Sequence, residues 1–98
     1  MSEKFKILDK LIDTIKKSKN SDPSTSYTAK LFLNGKIKIA NKFGEESIET
    51  ISAFLNQEKK DLCEETADLL YHLFVLLEHA DVSLDDITKI LEKRMKKQ

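Results

Sequence analysis

Two acidic segments carry the residue types and spacings that could do chemistry. The first is Lys42-Phe43-Gly44-Glu45-Glu46-Ser47-Ile48-Glu49, and the second is Glu64-Glu65-Thr66-Ala67-Asp68-Leu69-Leu70-Tyr71-His72. Each holds two acids three residues apart, Glu46 with Glu49 and Glu65 with Asp68. On a helix such residues share a face, and like charges there repel by roughly 0.2–0.5 kcal/mol per pair. If the chain reverses near Gln57, Glu49 and Glu65 lie eight residues on either side of the tip, and Glu46 and Asp68 lie eleven. Two antiparallel helices would then set these acids in two level rungs, about 4.5 Å apart along the axis. Four carboxylates in that square suit a hard divalent cation with oxygen ligands, and Mg²⁺ is the usual one beside phosphates. The competing reading is a pair of solvated, charge-rich helix faces.

Other polar residues could serve the same site. Lys38 and Lys42 lie two turns and one turn before Glu46 on the same face, placed either to pair with acids or to hold phosphates. Ser26, Tyr27, Thr28 and Lys30 belong to a hydroxyl-rich segment at the start of a short helix. Free backbone N–H groups there could receive phosphate, and Ser26 could equally be a simple cap. His72, four residues after Asp68, is either a supporting or substrate contact or a satisfied core histidine.

The elements that must position these residues are all helical, about five in number. Phe5, Leu8, Leu11, Ile12 and Ile15 recur at helical steps, which predicts a helix over roughly 3–19. Asn20-Ser21-Asp22-Pro23-Ser24 breaks it, and a short helix containing Ala29, Lys30, Leu31 and Phe32 ends at Asn34-Gly35. A long helix follows over roughly 36–56, with Ile37, Ala40, Ile48, Ile51 and Leu55 expected on its buried side. Gly44 costs about 1 kcal/mol mid-helix, so it should admit a substrate or a neighbouring helix. A connection at 56–60 leads to a helix over roughly 60–79, and Ser83 caps the last one. Leu69 to Leu77 is apolar nearly all round and must be covered on most sides. A chain of 98 residues has few helices to do this, so self-association into a helical-bundle dimer is expected.

Composition narrows the class. Seventeen basic and seventeen acidic residues leave no net charge, so there is no bulk electrostatic case for nucleic acid or an anionic membrane. No apolar run is long enough to span a bilayer, and no leader is recognisable. The single Cys63 fits a reducing cytoplasm and reads as a small packed side chain. One domain, residues 1–98, is expected.

The combined segments resemble the phosphoribosyl-ATP pyrophosphohydrolase family. The resemblance runs from about Leu11 to the C-terminus and rests on three blocks: Ser26-Tyr27-Thr28-Ala29-Lys30-Leu31-Phe32, Lys42 to Thr50, and Glu64 to Leu73. The acid blocks are shared by the wider all-α nucleoside-triphosphate pyrophosphatases; the Ser-Tyr-Thr block and the Leu-Leu-Tyr-His run are similar to the phosphoribosyl-ATP branch. The resemblance implies Mg²⁺-dependent hydrolysis between the α and β phosphates of phosphoribosyl-ATP, in histidine biosynthesis, by a dimer of helical subunits; with the Cys63 reading, a cytoplasmic enzyme is expected. It implies that Glu46, Glu49, Glu65 and Asp68 hold the metal, and that Glu45 or Glu64 orients the attacking water. Ser47 and Thr66 depart mildly from the alanine or small residue expected at those positions. The cyclohydrolase domain fused to this activity in some relatives is missing, so the next pathway step is expected on another polypeptide. The alternatives are a house-cleaning pyrophosphatase of free nucleotides and a non-catalytic helical scaffold. A di-iron carboxylate bundle is disfavoured, because its Glu-x-x-His pairs are absent.

Overall fold

A computed structural model describes residues 2–97. Five helices follow one another: α1 (Glu3–Ser18), α2 (Tyr27–Asn34), α3 (Lys36–Asn56), α4 (Lys59–His79) and α5 (Leu84–Lys96). No strand occurs among the described residues. The helix starts and stops obey local chemistry. The Ser26 hydroxyl accepts from the Ala29 N–H at 3.1 Å and caps α2, as the sequence predicts. Gly35, at φ 92°, ends α2 and opens α3 in a conformation that suits a residue without a Cβ. Ser83 and Asp86 form a reciprocal capping box at α5, with bonds of 3.1 and 2.9 Å.

Helices α3 and α4 form the dominant packed pair, a long hairpin reversed at Gln57, which takes the left-handed conformation at φ 61°. A hydroxyl of α3 lies at the contact between them, with its single hydrogen shared between two carbonyls. Thr50 Oγ1 lies 2.8 Å from the Glu46 carbonyl and 3.2 Å from the Glu65 carbonyl across the hairpin. The core forms where α1 and α2 lie against this pair, around Ile15, Leu31, Ile39, Phe74 and Val75. Lys19 at the end of α1 bonds Glu78 of α4 at 2.6 Å. Helix α5 buries no residue fully, and Leu84 at its start packs on the core.

Two expectations change, the buried side of α3 and the packing of Cys63. On α3 the buried positions are Ile39, Glu46 and Ala53, seven residues apart. Ile37, Ala40, Ile48, Ile51 and Leu55 are exposed instead, because α4 takes the opposite face. The apolar run of α4 is buried at His72, Phe74 and Val75 and half-buried at its other positions from Leu69 to Leu77. Cys63 is exposed rather than packed. A Cβ added at Gly44 would meet nothing within 4 Å, so no helix of this chain uses the space.

Candidate active site

The hairpin register brings three acids together. Glu46, Glu49 and Glu65 each offer a carboxylate oxygen, and these atoms lie within 4.8 Å of one another. Asp68 stands outside that triplet, although its charge still bears on Glu46 and Glu65. Glu46 is the inner member. It is buried, and its Oε2 has no hydrogen-bond partner. Such an orphaned buried acceptor costs about 1–3 kcal/mol.

Electrostatics agrees with crowding. Burial, then neighbouring Glu49, Asp68 and Glu65, raises the Glu46 carboxyl above its ordinary 4.5. Burial, then the charges of Glu49 and Asp68, raises Glu65 likewise. A raised native pKa means that the folded protein keeps protons the unfolded chain has released. The associated stability is complete below the unfolded value of 4.5 and disappears as pH rises through the raised native values. In EDTA the melting temperature should therefore decline on going from about pH 4.5 upward through that window. A Glu46→Gln variant should show a shallower decline; a parallel one in a melting series would mean that these acids do not titrate as described.

The remaining candidates surround the triplet unequally. Lys42 is half-buried, and its Nζ lies 3.4 Å from Glu45 Oε1, so it pairs with Glu45 rather than with Glu46. Glu45 and Glu64 are exposed, as are Lys30 and Lys38. Tyr27 is 49% exposed, and the charges of Lys42, Glu46, Glu45 and Asp68 all reach it. Thr28 was expected to face substrate. It is buried, and its hydroxyl bonds the Tyr71 hydroxyl, so it fastens α2 to α4 instead. His72 is buried. Its Nδ1 lies 2.8 Å from the Asp68 carbonyl and its Nε2 lies 3.1 Å from the Tyr27 hydroxyl.

Two supporting residues escape a reading by residue type. Thr50 and Tyr71 sit inside the acidic and Leu-Leu-Tyr-His segments, yet neither is charged or placed at metal-ligand spacing. The available signal for Thr50 was its position four residues after Glu46. For Tyr71 it was a polar tip in an otherwise apolar run, since buried hydroxyls seek partners.

Comparison with known proteins follows the same segments. Residues 8–95 match the family described as phosphoribosyl-ATP pyrophosphohydrolase. The chain is 53% identical over 76 residues to a phosphoribosyl-ATP pyrophosphatase of Paramagnetospirillum magneticum, covering 78% of this chain and 70% of the relative. It is 46% identical over 87 residues to one of Rhodobacter capsulatus, covering 89% and 84%. It is also 48% identical over 82 residues to the histidine biosynthesis bifunctional protein HisIE of Thermotoga maritima. That match covers 84% of this chain but spans only 42% of the bifunctional relative.

Proposed function

The chain belongs to the phosphoribosyl-ATP pyrophosphohydrolase family, and from that premise we propose that it hydrolyses phosphoribosyl-ATP between its α and β phosphates, yielding phosphoribosyl-AMP and pyrophosphate in histidine biosynthesis. The match over residues 8–95 supports reading 1–98 as a single catalytic domain. No described helix is long and apolar enough to cross a membrane. The exposed free thiol of Cys63 suits a reducing cytoplasm.

One observation carries the site assignment: the partnerless, buried Glu46 Oε2 inside a cluster of three carboxylates. A Mg²⁺ ion fits this donor set, because it takes oxygen ligands and would satisfy the orphaned acceptor. We assign Glu46, Glu49 and Glu65 as its principal holders, with Asp68 at the edge. When bound, such an ion neutralises charge on phosphate oxygens, which is most of what phosphoryl chemistry requires beyond positioning. The other roles fall to the surrounding side chains. Lys42 contributes positive charge to the polyphosphate, helped by Lys38 and Lys30 around the rim. Glu45 or Glu64 accepts a hydrogen bond from the attacking water and orients it. The Ser26–Tyr27 start of α2 faces the nucleotide.

The enzyme is further proposed to act as a homodimer. Ile37, Ile48, Ile51 and Leu55 line one exposed side of α3, with Ile48 at 69% and Leu55 at 70% exposure. Their spacing, with open Gly44 between them, is that of a helix packed against another helix. A second copy is the natural cover for a stripe of this size on a small domain.

Purified protein given phosphoribosyl-ATP and Mg²⁺ should release pyrophosphate, and EDTA should abolish the release. Faster turnover of free deoxynucleoside triphosphates than of phosphoribosyl-ATP would replace this substrate assignment with a house-cleaning role.

A further inference from the structure

The carboxylate triplet is split between two helices. Glu46 and Glu49 ride on α3 and Glu65 rides on α4, so the spacing of the acids depends on the gap between the helices. Thr50, the residue after Glu49, reaches across that gap. Its Oγ1 lies 2.8 Å from the Glu46 carbonyl on its own helix and 3.2 Å from the Glu65 carbonyl opposite. The two acceptors are therefore main-chain oxygens of two of the three acids, one from each helix. Carbonyls only accept, so the hydroxyl donates, sharing its single hydrogen between them. This polarity involves no titrating group.

A hydroxyl that bonds the carbonyl four residues back is ordinary helix chemistry. Thr14 and Ser47 do so at 2.8 Å, and among the described hydrogen bonds neither reaches a second helix. Thr50 differs by its contact with Glu65. That contact also sets a distance. A methyl carbon in place of the oxygen would keep about 3.3–3.6 Å from a carbonyl oxygen, so an apolar side chain of the same shape would push the helices slightly apart beside the acids. The acids themselves do not resist such parting. Their oxygens lie within 4.8 Å of one another, and carboxylates that close repel when ionised.

We propose that Thr50 is a positioning residue of the metal site: its hydroxyl holds Glu65 of α4 close to Glu46 and Glu49 of α3, at the spacing that takes Mg²⁺. The inference rests on the metal reading above, and it assigns part of the affinity for the ion to an uncharged side chain. Mg²⁺ is demanding in this respect, because it takes oxygen ligands at about 2.0–2.1 Å in near-octahedral geometry.

The test is Mg²⁺ titrated into the metal-free protein and followed by calorimetry. Thr50→Val keeps the branched shape and removes the hydrogen. Its dissociation constant for Mg²⁺ should be about fivefold larger, the equivalent of one neutral hydrogen bond. Thr50→Ser keeps the hydroxyl and should bind within about twofold of the parent. In turnover of phosphoribosyl-ATP, the free Mg²⁺ concentration giving half the maximal rate should rise about fivefold in Thr50→Val, with kcat at saturating Mg²⁺ within about twofold. Melting in EDTA is the control. A residue that only stabilised the hairpin would lower the melting temperature of Thr50→Val and leave its Mg²⁺ affinity alone.

A valine variant that binds Mg²⁺ as tightly as the parent overturns the proposal. So does a serine variant that binds as weakly as the valine one, since the methyl and not the hydroxyl would then matter. If Thr50→Val does not fold, Thr50→Ala against Thr50→Ser isolates the hydroxyl, and equal affinities overturn its role. A parent that takes up no Mg²⁺ removes the metal site itself. A parent that binds beside a valine variant that binds equally removes only the role of Thr50.

Discussion

Glu49→Gln should lower phosphoribosyl-ATP turnover by more than roughly 100-fold, the upper range for groups that merely support a metal ligand, while the metal-free protein remains at least as stable as the parent. Glu49 is an exposed member of the carboxylate triplet. Its removal spoils coordination but leaves the packing of the hairpin intact. It also removes a negative charge that disfavours ionisation of both Glu46 and Glu65. Asp68→Asn should act in the same direction but more weakly, by about 10-fold, because Asp68 lies outside the triplet. Binding of Mg²⁺ to the native state alone should raise the parent's melting temperature by mass action, and both substitutions should shrink that rise. Turnover and melting in EDTA and in Mg²⁺ test the pairing of lost catalysis with retained stability. Activity that survives both substitutions, or variants that melt well below the parent in EDTA, would remove these acids from the metal site.

Replacing Ile48 and Ile51 together with glutamate should split the proposed dimer. Each isoleucine, if covered by a second copy, contributes about 1.5–3 kcal/mol of apolar burial. Losing both should weaken association by at least roughly 100-fold, before counting the repulsion of the added charges. Light scattering should report about twice the 11.3 kDa chain mass for the parent and the single-chain mass for the variant. A parent that is monomeric at micromolar concentration would refute the dimer.

The legible parts of the fold were those fixed by local chemistry. Ser26, Gly35 and Ser83 mark helix ends because a hydroxyl cap or a positive φ is needed there, whatever packs nearby. The reversal at Gln57 and the meeting of Glu49 with Glu65 followed from counting residues along two rigid rods. The facing direction of α3 was not legible. Ile48, Ile51 and Leu55 make a regular apolar stripe, and periodicity alone cannot say whether such a stripe faces its own chain or another. The true inner row, Ile39, Glu46 and Ala53, includes a carboxylate, and an apolar-pattern reading passes over it. The burial of Thr28 was not legible for a related reason: the partner of its hydroxyl, Tyr71, lies 43 residues away in sequence.

The short sequence range of the α3–α4 contacts has a kinetic consequence. The Thr50 side chain meets the Glu65 carbonyl only 15 residues away in sequence, and the entire carboxylate cluster is carried by the same hairpin. Contacts between chain neighbours form with little loop-closure entropy and favour rapid folding. The acids should therefore approach one another early, while α1, whose Lys19 meets Glu78 across 59 residues, docks later. Substitutions in the α1 contact should then mainly accelerate unfolding, and substitutions at the hairpin tip should mainly slow folding.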